Sequence, residues 1–377
     1  MQFLKNFKPQ LTVDSPGRIN IIGEHVDYNM GYVLPTAIEK KITFKFQKND
    51  SDKICHVYSK GYDTGFELSL DKLEKSTVEW ENYILGVLNE ISKRSDKLRG
   101  FDCTLESHVP IGSGVSSSAA LECGLAFGLN EMFDLGLSKM DIVELSQAAE
   151  HTYAGTKCGI MDQFASVMSK EGHVILLDCE SLDYSYIPIQ IEPYRLVLLN
   201  TNVSHNLASG EYNVRRAQCE EGVAVLQKRY PEVKSLRNAT MDMLNDVRNE
   251  LDETVYNRCS YIIQEKTRVL EAVDALKANN LQRVGELLYE THDGLSKMYE
   301  VSCPELDFLV EFSKKYDSVL GARMMGGGFG GCTINLVHKD AIEEFVKAAS
   351  TAYENECKLK LTWFEARPSE GTSIVKS

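Results

Sequence analysis

A stretch near the start of the chain holds polar residues whose types and spacing could bind a small polar ligand. Residues 17–29 read Gly-Arg-Ile-Asn-Ile-Ile-Gly-Glu-His-Val-Asp-Tyr-Asn, which places Arg18, Glu24, His25 and Asp27 around a short apolar pair. Carboxylates accept hydrogen bonds from several hydroxyls, and an arginine can neutralise negative charge beside them. Taken alone, the segment also fits a solvated loop after a strand. Two glycine-rich segments elsewhere in the chain decide between these interpretations.

The first glycine-rich segment, residues 110–120, reads Pro-Ile-Gly-Ser-Gly-Val-Ser-Ser-Ser-Ala-Ala between a predicted strand and a predicted helix. The N-terminus of a helix, with its unpaired N–H groups and positive dipole end, is a natural phosphate site. The serine hydroxyls could cap the helix or bind Mg²⁺. The segment is neither a Walker loop, since no Gly-Lys-Ser/Thr follows, nor a dinucleotide fingerprint, since the third glycine is absent. A serine-capped helix after a flexible turn is the structural alternative.

The second glycine-rich segment, residues 324–331, reads Met-Met-Gly-Gly-Gly-Phe-Gly-Gly. It matches G-x-G-x-x-G by letter, but a strand-like run follows, whereas the dinucleotide fingerprint requires a helix at that point. Five glycines in six positions instead indicate that the chain passes close to a ligand or to the first glycine-rich segment.

Hydrophobic periodicity predicts an α+β protein, with strands first and mostly helices later. The predicted strands are Ile19–Ile22, Lys41–Phe46, Ile54–Ser59, Gly65–Leu70, Phe101–Ser107, His173–Asp178, Tyr184–Ile189, Leu196–Leu199, a run within Gly326–Val337, and Lys360–Glu365. The predicted helices are Trp80–Ser92, Ala119–Phe133, Lys139–Ala154, Tyr212–Arg229, Thr254–Ala278, Leu281–Met298, Pro304–Tyr316 and Asp340–Cys357.

Two prolines, Pro188 and Pro193, precede the apolar run Leu196–Leu199 and suggest a domain boundary near residue 190. We therefore predict two domains, residues 1–190 and 191–377, with ligands bound at their interface.

The composition is globular and acidic: 377 residues, 43% hydrophobic, with a formal net charge of −14. This charge argues against nucleic acid or an anionic membrane as the main partner, although backbone N–H groups can still bind a nucleotide phosphate. The ten cysteines include no C-x-x-C pair, and the eight histidines are dispersed, so neither a disulfide framework nor a zinc site is indicated. Without a signal-peptide-like start or a long apolar run, the chain is expected to be a cytoplasmic monomer.

The three segments together resemble galactokinases, within the superfamily of galacto-, homoserine, mevalonate and phosphomevalonate kinases. Residues 17–29 look like the signature G-R-x-N-[LIV]-I-G-E-H-x-D-Y-N, residues 110–119 like P-x-G-x-G-L-S-S-S-A, and residues 324–332 like M-T-G-G-G-F-G-G-C. Further similar stretches lie at residues 80–83, 158–164, 178–182 and 209–216, in the order of the family. The departures are Val26 for Thr, Val115 for Leu and Met325 for Thr.

The resemblance implies the two-domain fold of this superfamily and an ATP-dependent phosphorylation of the anomeric hydroxyl of galactose. The product would be galactose 1-phosphate, in the first committed step of galactose catabolism, with Mg²⁺ as cofactor. Asp162 would be the base and Arg18 its neutralising partner. The sugar would be bound by Glu24, His25, Val26, Asp27 and Tyr212. The phosphates would be wrapped by Gly112, Ser113, Gly114, Val115, Ser116, Ser117 and Ser118. Ser118 and Glu150 would hold Mg²⁺, and the adenine would lie near Ser59, Trp80 and Tyr83.

Each of these residues also has a structural alternative. Asp162 could cap the helix that follows it, Glu150 could be a solvated charge on a helix face, and Tyr212 could belong to the core. Two functional alternatives are the same reaction on N-acetylgalactosamine, arabinose or galacturonate, and a non-enzymatic sensor that binds galactose and ATP. The resemblance disfavours a sensor because Ser118 and Ala119 are present, a pair that some such proteins lack.

Overall fold

The computed structural model describes residues 2–110, 112–203 and 208–376; Ile111, within the first glycine-rich segment, lies outside the described residues. The strands are β1 (Leu11–Asn20), β2 (Tyr32–Val33), β3 (Pro35–Lys48), β4 (Ile54–Ser59), β5 (Thr64–Ser69), β6 (Phe101–Ser107), β7 (His173–Asp178), β8 (Tyr184–Pro188), β9 (Tyr194–Asn200), β10 (Val319–Met324), β11 (Cys332–His338), β12 (Thr362–Ala366) and β13 (Ser373–Ile374).

The helices are α1 (Glu79–Ser92), α2 (Ser117–Phe133), α3 (Lys139–Ala149), α4 (Met161–Met168), α5 (Ala208–Gln227), α6 (Met241–Asp246), α7 (Glu253–Lys277), α8 (Leu281–Lys297), α9 (Pro304–Ser313) and α10 (Ile342–Cys357). A π-helical turn, Glu150–Ala154, continues α3 and ends before Gly155, in agreement with the predicted helix Lys139–Ala154. The α+β class predicted from the sequence is confirmed.

The first half of the chain packs α2 onto a six-stranded sheet with the order β13-β1-β3-β6-β4-β5. Alternate residues of β3, including Phe44 and Phe46, are fully buried against this helix. Two glycines of α2 permit the close approach, because a Cβ on Gly124 would fall 2.3 Å from the Phe44 ring and one on Gly128 would fall 2.2 Å from the Phe46 ring. The helix that begins at the first glycine-rich segment is thereby fixed to the sheet that carries β1.

The second half places helices on a four-stranded sheet with the order β10-β11-β9-β12. β9 lies inside this sheet and is buried from Leu196 to Asn200, which explains its unbroken apolar run. Helix α8 lies directly on β10, where a Cβ on Gly285 would fall 2.1 Å from the carbonyl oxygen of Leu320 and one on Gly321 would fall 2.2 Å from the carbonyl oxygen of Gly285. The second glycine-rich segment connects β10 to β11 in this sheet.

Several element predictions need correction. β1 runs from Leu11 to Asn20, so it ends before the predicted limit at Ile22, and the Ile21–Ile22 pair belongs to the buried turn that follows. The sequence analysis missed β10, whose pattern is broken by Gly321 and Arg323, and it missed the short elements β2, α6 and β13. It mentioned a helix after Asp162 without giving the bounds of α4. Short elements carry too few periods to be recognised from hydrophobic spacing alone.

The chain end returns to the first half. β13 pairs antiparallel with β1, and the Thr372 hydroxyl lies 2.9 Å from the Ser15 hydroxyl. A segment at the end of the second half of the chain therefore belongs to the sheet of the first half. The domain boundary near residue 190 stays a proposal. Across the three described ranges, no helix has the length and apolar character that a membrane span needs.

Candidate active site

A cavity of about 100 Å³ lies where the turn after β1, the start of α4 and the second glycine-rich segment meet. Its lining includes most of the residues that the sequence analysis assigned to the sugar and to catalysis. The lining residues are Arg18, Glu24, His25, Asp27, Glu150, Thr156, Cys158, Met161, Asp162, Tyr212, Gly326 and Gly327.

Arg18 and Asp162 form a bidentate ion pair in this cavity. Arg18 Nε lies 2.8 Å from Asp162 Oδ1, and Arg18 Nη2 lies 2.9 Å from Asp162 Oδ2. Burial alone would lower the pKa of the arginine, but the negative charges of Asp162, Glu24 and Asp27 outweigh it and raise the pKa. Asp162 occupies the first turn of α4, where the helix dipole favours a carboxylate. The side chain points into the cavity, and the Ser116 hydroxyl also donates to it.

Glu24 is held by a group that the sequence analysis did not identify. The Oε1 atom of Glu24 accepts from Arg323 Nη1 at 3.0 Å and from the main-chain N–H of Gly326 at 2.9 Å. Arg323 is fully buried and also donates to the main-chain carbonyls of Ile21, Asn20 and Met324. The arginine of β10 thus ties the turn after β1 to the second glycine-rich segment.

Asp27 is buried and carries a perturbed carboxyl group. Burial, followed by the nearby charge of Asp162, raises its pKa to about 7, although the main-chain N–H of Tyr28 donates to Oδ1 at 2.9 Å. Gly159 lies against this carboxylate, since a Cβ there would fall 2.0 Å from Asp27 Oδ2. Four carboxylates around one small cavity, with a single arginine on its described lining, favour a ligand that donates several hydrogen bonds.

The rings of His25 and Tyr212 contact each other in the same cavity, with centroids 5.1 Å apart and planes tilted by 37°. Burial is the main reason that the pKa of His25 is lowered to about 3, so the ring is neutral at physiological pH. Val26 is different: its side chain is fully buried, and it is not among the residues that line the cavity.

The two glycine-rich segments contact each other, which is one of the two alternatives that the sequence analysis left open. A Cβ on Gly326 would fall 2.9 Å from the carbonyl oxygen of Gly114, and both glycines have positive φ angles, +82° and +76°. A larger residue at either position would therefore suffer backbone strain as well as a clash. The main-chain carbonyl of Val115 accepts from the Arg18 N–H at 3.0 Å, which connects the first segment to β1.

The serine hydroxyls of the first glycine-rich segment do not cap the helix that follows. Ser116 is the N-cap residue of α2, but its backbone is left-handed and its hydroxyl donates to Asp162 and not to the helix. Ser113 donates to the carbonyl of Pro110 at 2.7 Å inside the turn. The first N–H groups of α2 are consequently not capped by a serine side chain. A phosphate site at a helix N-terminus requires such uncapped N–H groups.

A second, larger cavity of about 530 Å³ begins beside the same segment. Ser59, Trp80 and Tyr83, the three residues predicted to lie near an adenine, all line it, and Ser117 and Ser118 are also part of its lining. The remaining wall is largely apolar, with Ile42, Leu105, Val109 and Leu121 among its residues. A flat aromatic ring fits such a wall, and a phosphate chain could extend from it to the serines.

Ser118 and Glu150 lie together, as predicted for a metal site. Ser118 Oγ is 3.2 Å from Glu150 Oε1, and burial, with the charge of Asp162, raises the pKa of Glu150 to about 7. Behind them Glu122 is fully buried, and its Oε1 atom has no hydrogen-bond partner in the described part of the chain. A hydroxyl and a carboxylate are ligands that Mg²⁺ accepts, and a cation would relieve the crowded negative charge. The donor set therefore fits the ion.

Three residues that support the site were missed by sequence analysis, although two of them carried a signal. Arg323 is a charged residue next to a glycine-rich segment, and Glu122 is a lone acid within the apolar helix run after Ser118. A charge inside an apolar pattern is expensive unless it is paired or functional. Gly159 carried no signal, because its role depends on the tertiary approach of Asp27.

Three family profiles match the chain. The galactokinase galactose-binding signature matches residues 1–48, the N-terminal domain of GHMP kinases matches residues 82–170, and the C-terminal domain of GHMP kinases matches residues 272–355. The first profile covers the turn after β1, and the second covers the serine-rich segment and α4. The profile boundaries leave the division near residue 190 untested.

Individual proteins are similar over nearly the whole chain. A galactokinase of Thermosipho africanus is 41% identical over 97% of this chain and 100% of its own length, and a galactokinase of Thermotoga maritima is 38% identical over the same shares. The crystal structure of Lactococcus lactis galactokinase complexed with galactose has a TM-score of 0.94, with 35% identity over 99% of this chain and 97% of that one. Methanococcus jannaschii mevalonate kinase, at 18% identity and a TM-score of 0.67 over 96% of this chain and 98% of its own, shares the fold. The chain belongs to the galactokinase family of the GHMP kinases.

Proposed function

We propose that this protein transfers the γ-phosphoryl group of ATP to the anomeric hydroxyl of galactose, giving galactose 1-phosphate and ADP. This reaction is the first committed step of galactose catabolism. The observation that carries the proposal is the Asp162 carboxylate, which meets Arg18 from the sugar segment and Ser116 from the phosphate segment at one point of the cavity. A sugar hydroxyl and a terminal phosphate can therefore meet beside the same carboxylate.

In the proposed reaction the anomeric hydroxyl donates its hydrogen bond to Asp162. The carboxylate takes the proton as the oxygen–phosphorus bond forms and the bond from the γ-phosphorus to the bridging oxygen of ADP breaks. A positioned base of this kind contributes about 10²–10⁴-fold to the rate. Arg18 lies against both carboxylate oxygens and balances the negative charge that gathers during the transfer. Most of the remaining acceleration comes from positioning.

Glu24 and Asp27 are the proposed acceptors for the other sugar hydroxyls. Glu24 is anchored through Oε1 to Arg323 and Gly326, and Asp27 is anchored through Oδ1 to Tyr28. Both carboxylates are buried, so an incorrectly placed hydroxyl leaves a buried acceptor without a donor. Tyr212 supplies an aromatic face on the same cavity and can pack against the apolar side of a sugar ring.

The nucleotide is proposed to lie with its base between Trp80 and Tyr83 and its phosphates on the N-terminus of α2. Ser118 and Glu150 would hold Mg²⁺, which neutralises phosphate charge when it is bound. Ser59 lines the same cavity as Trp80 and Tyr83 and contributes to the base site. We also propose that the protein is cytoplasmic, a proposal supported by ten unpaired thiols, and that it is a monomer.

The cavity disfavours galacturonate. Arg18 is the one cation on its described lining, and both of its terminal contacts go to Asp162 and the carbonyl of Gly114. A sugar carboxylate would meet four protein carboxylates without a free cation on the described lining. The sensor alternative is disfavoured because the groups that the reaction needs are in contact. Ser118 contacts Glu150, and Arg18 contacts Asp162.

The proposal is tested by ADP release with a panel of sugars: galactose, N-acetylgalactosamine, arabinose, galacturonate and glucose. Galactose is expected to give the highest kcat/KM, and ³¹P NMR is expected to show phosphate on the anomeric carbon. Binding of galactose and ATP without ADP release would favour the sensor, and a higher kcat/KM for another sugar would reassign the substrate.

A further inference from the structure

An aromatic side chain on the hairpin between β4 and β5 lies at the open side of the larger cavity. Tyr62 lines this cavity together with Trp80, although the sequence analysis assigned no role to it. Tyr62 is 52% exposed, so about half of its surface faces solvent. Its ring therefore borders both the solvent and a cavity large enough for a small-molecule ligand, and an occupant of the cavity would cover it.

The ring of Tyr62 continues the aromatic wall of the cavity. Its centroid lies 5.9 Å from that of Trp80, with 29° between the two planes, which is an offset-stacked arrangement. Phe66 of β5 packs edge-on against the same indole, with centroids 5.4 Å apart, and is not among the lining residues. The hairpin thus holds the indole of Trp80 with one ring and presents another ring to the cavity.

The tip of this hairpin is held by its own hydrogen bonds. The main-chain N–H of Lys60 donates to the carbonyl of Leu105 in β6 at 2.9 Å, and the N–H of Asp63 donates to the carbonyl of Lys60 at 3.4 Å. The Tyr58 hydroxyl donates to the Asp63 carboxylate on the other side of the turn. The backbone that carries Tyr62 is therefore already in place, and binding against its ring needs no ordering of the turn.

The charge of the surrounding wall favours a neutral, flat group over a phosphate chain at this side of the cavity. The described lining of the cavity contains no lysine or arginine, and Glu79, in the first turn of α1, is its one charged residue. A triphosphate placed beside Tyr62 would meet this carboxylate without a cation to balance it. A nucleotide base carries no charge at neutral pH, and its face can pack on an aromatic ring.

We propose that Tyr62 is a further nucleotide-binding residue, whose ring packs on the base of ATP at the open side of the cavity. Trp80 and Tyr83 reach the base from helix α1, and Tyr62 reaches it from the hairpin. Tyr62 contributes affinity for the base and none for the phosphates, which lie at the serines of the first glycine-rich segment. This inference rests on the proposed function, because that function supplies the nucleotide.

The first test measures nucleotide affinity without sugar, with Trp80 as the reporter. The chain has two tryptophans, so Trp363→Phe, on β12, leaves Trp80 as the single indole. Quenching of its fluorescence by a non-hydrolysable ATP analogue with Mg²⁺ then gives the Kd. Tyr62→Ala in this background is expected to raise the Kd about 3- to 10-fold, whereas Tyr62→Phe, which keeps the ring, is expected to change it by less than about twofold. An Ala variant that binds as tightly as its parent would overturn the proposal.

The second test separates the base from the phosphates. Inorganic tripolyphosphate with Mg²⁺ has the phosphate chain of ATP but no base, and its affinity can be measured by competition with the ATP analogue. Tyr62→Ala and Tyr62→Phe are expected to bind tripolyphosphate equally well. An equal loss for tripolyphosphate and for the analogue would show that the substitution disturbs the phosphate site, which contradicts the proposal.

The third test separates contact with the base from support of Trp80. A ring that only supports the indole contributes nothing once the indole is removed, whereas a ring that contacts the base contributes in both backgrounds. Isothermal titration with the ATP analogue is therefore repeated for Trp80→Ala with and without Tyr62→Ala. A further loss of about threefold is expected in the double variant, and no further loss would overturn the proposal.

Tyr186→Ala is the matched control, because Tyr186 is 37% exposed and packs edge-on against another ring, that of Tyr184, at 5.5 Å, outside the cavity lining. It is expected to bind the analogue as wild type does, and a loss equal to that of Tyr62→Ala would overturn the proposal. Steady-state rates should show a raised KM for ATP in Tyr62→Ala, with kcat and the KM for galactose nearly unchanged. Because the binding tests use no sugar, wild-type protein that binds the analogue but does not phosphorylate galactose would overturn the proposed function alone.

Discussion

The sugar end of the cleft and its nucleotide end hold their side chains in different ways. At the sugar end Glu24, Asp27 and Asp162 are carboxylates tied by short hydrogen bonds to Arg323, to Arg18 or to the backbone. At the nucleotide end Trp80 and Tyr83 line a larger and mostly apolar cavity. The first end is built from buried charge, and the second from apolar surface and unpaired N–H groups.

This difference costs stability wherever a carboxylate is buried. Burial and mutual repulsion raise the pKa of Asp27 and of Glu150 to about 7, so each ionised group opposes folding until a ligand or a cation compensates it. Apolar walls carry no such penalty. Substitutions at the sugar end should therefore change selectivity and catalysis sharply, whereas substitutions at the nucleotide end should weaken binding gradually.

The largest effect is expected at Asp162. Asp162→Asn keeps the shape but removes the proton acceptor, so kcat should fall about 10²-fold or more, with a smaller change in KM. Asp178→Asn is the matched control, because Asp178 also pairs with an arginine, Arg237, at 2.7 Å but lies outside the cavity lining. Turnover close to wild type in a folded Asp162→Asn protein would remove Asp162 from the mechanism.

Selectivity against glucose tests the buried carboxylates directly. Glucose differs from galactose only at C4, and each charged acceptor left unpaired costs about 1–3 kcal/mol. We expect kcat/KM for glucose to be lower than for galactose by about 10²-fold or more. Steady-state rates with both sugars decide this, and comparable values would mean that the carboxylates do not read the hydroxyl pattern.

Glu150 is expected to act through the metal. Glu150→Ala should weaken Mg²⁺–ATP by about tenfold while leaving the KM for galactose nearly unchanged, and added Mg²⁺ should restore part of the rate. Glu144→Ala, on the exposed face of the same helix, is the control. Lower thermal stability at every Mg²⁺ concentration, with no kinetic defect that Mg²⁺ relieves, would make Glu150 a structural residue.

The smallest effect concerns stability and pH. The folded-state pKa of Asp27 is raised to about 7 from 3.8, so its ionisation destabilises the ligand-free fold progressively as pH rises from about 4 to about 7. Asp27→Asn removes that penalty but loses the hydrogen bond from the Met161 N–H, which leaves a net gain of about 1 kcal/mol above pH 7 and a net loss near pH 4. Urea unfolding at both pH values measures it; a less stable variant at pH 8 would contradict the raised pKa.

Local sequence patterns could predict the residues that meet in the cavity, because Arg18 to Asp27 lie within one short segment and the serines precede a clear helix. The contact between the two glycine-rich segments was also predictable from their glycine content. Both predictions rest on backbone conformation, which neighbouring residues largely determine.

The supporting interactions could not be predicted in the same way. Arg323 reaches Glu24 across 299 residues, and Gly159 is required only because Asp27 packs against it. The sequence left the serines open as a helix cap or as metal ligands, and it could not predict that the Ser116 hydroxyl donates to a distant carboxylate, Asp162.

The independence of the two ends is tested most directly by isothermal titration of Asp27→Ala and Trp80→Ala with galactose and with a non-hydrolysable ATP analogue. Asp27→Ala is expected to lose galactose affinity by about tenfold or more and to bind the analogue nearly as wild type does. Trp80→Ala is expected to show the reverse pattern. An Asp27→Ala protein that binds galactose normally but has lost affinity for the ATP analogue would show that the sugar has been placed at the wrong end of the cleft.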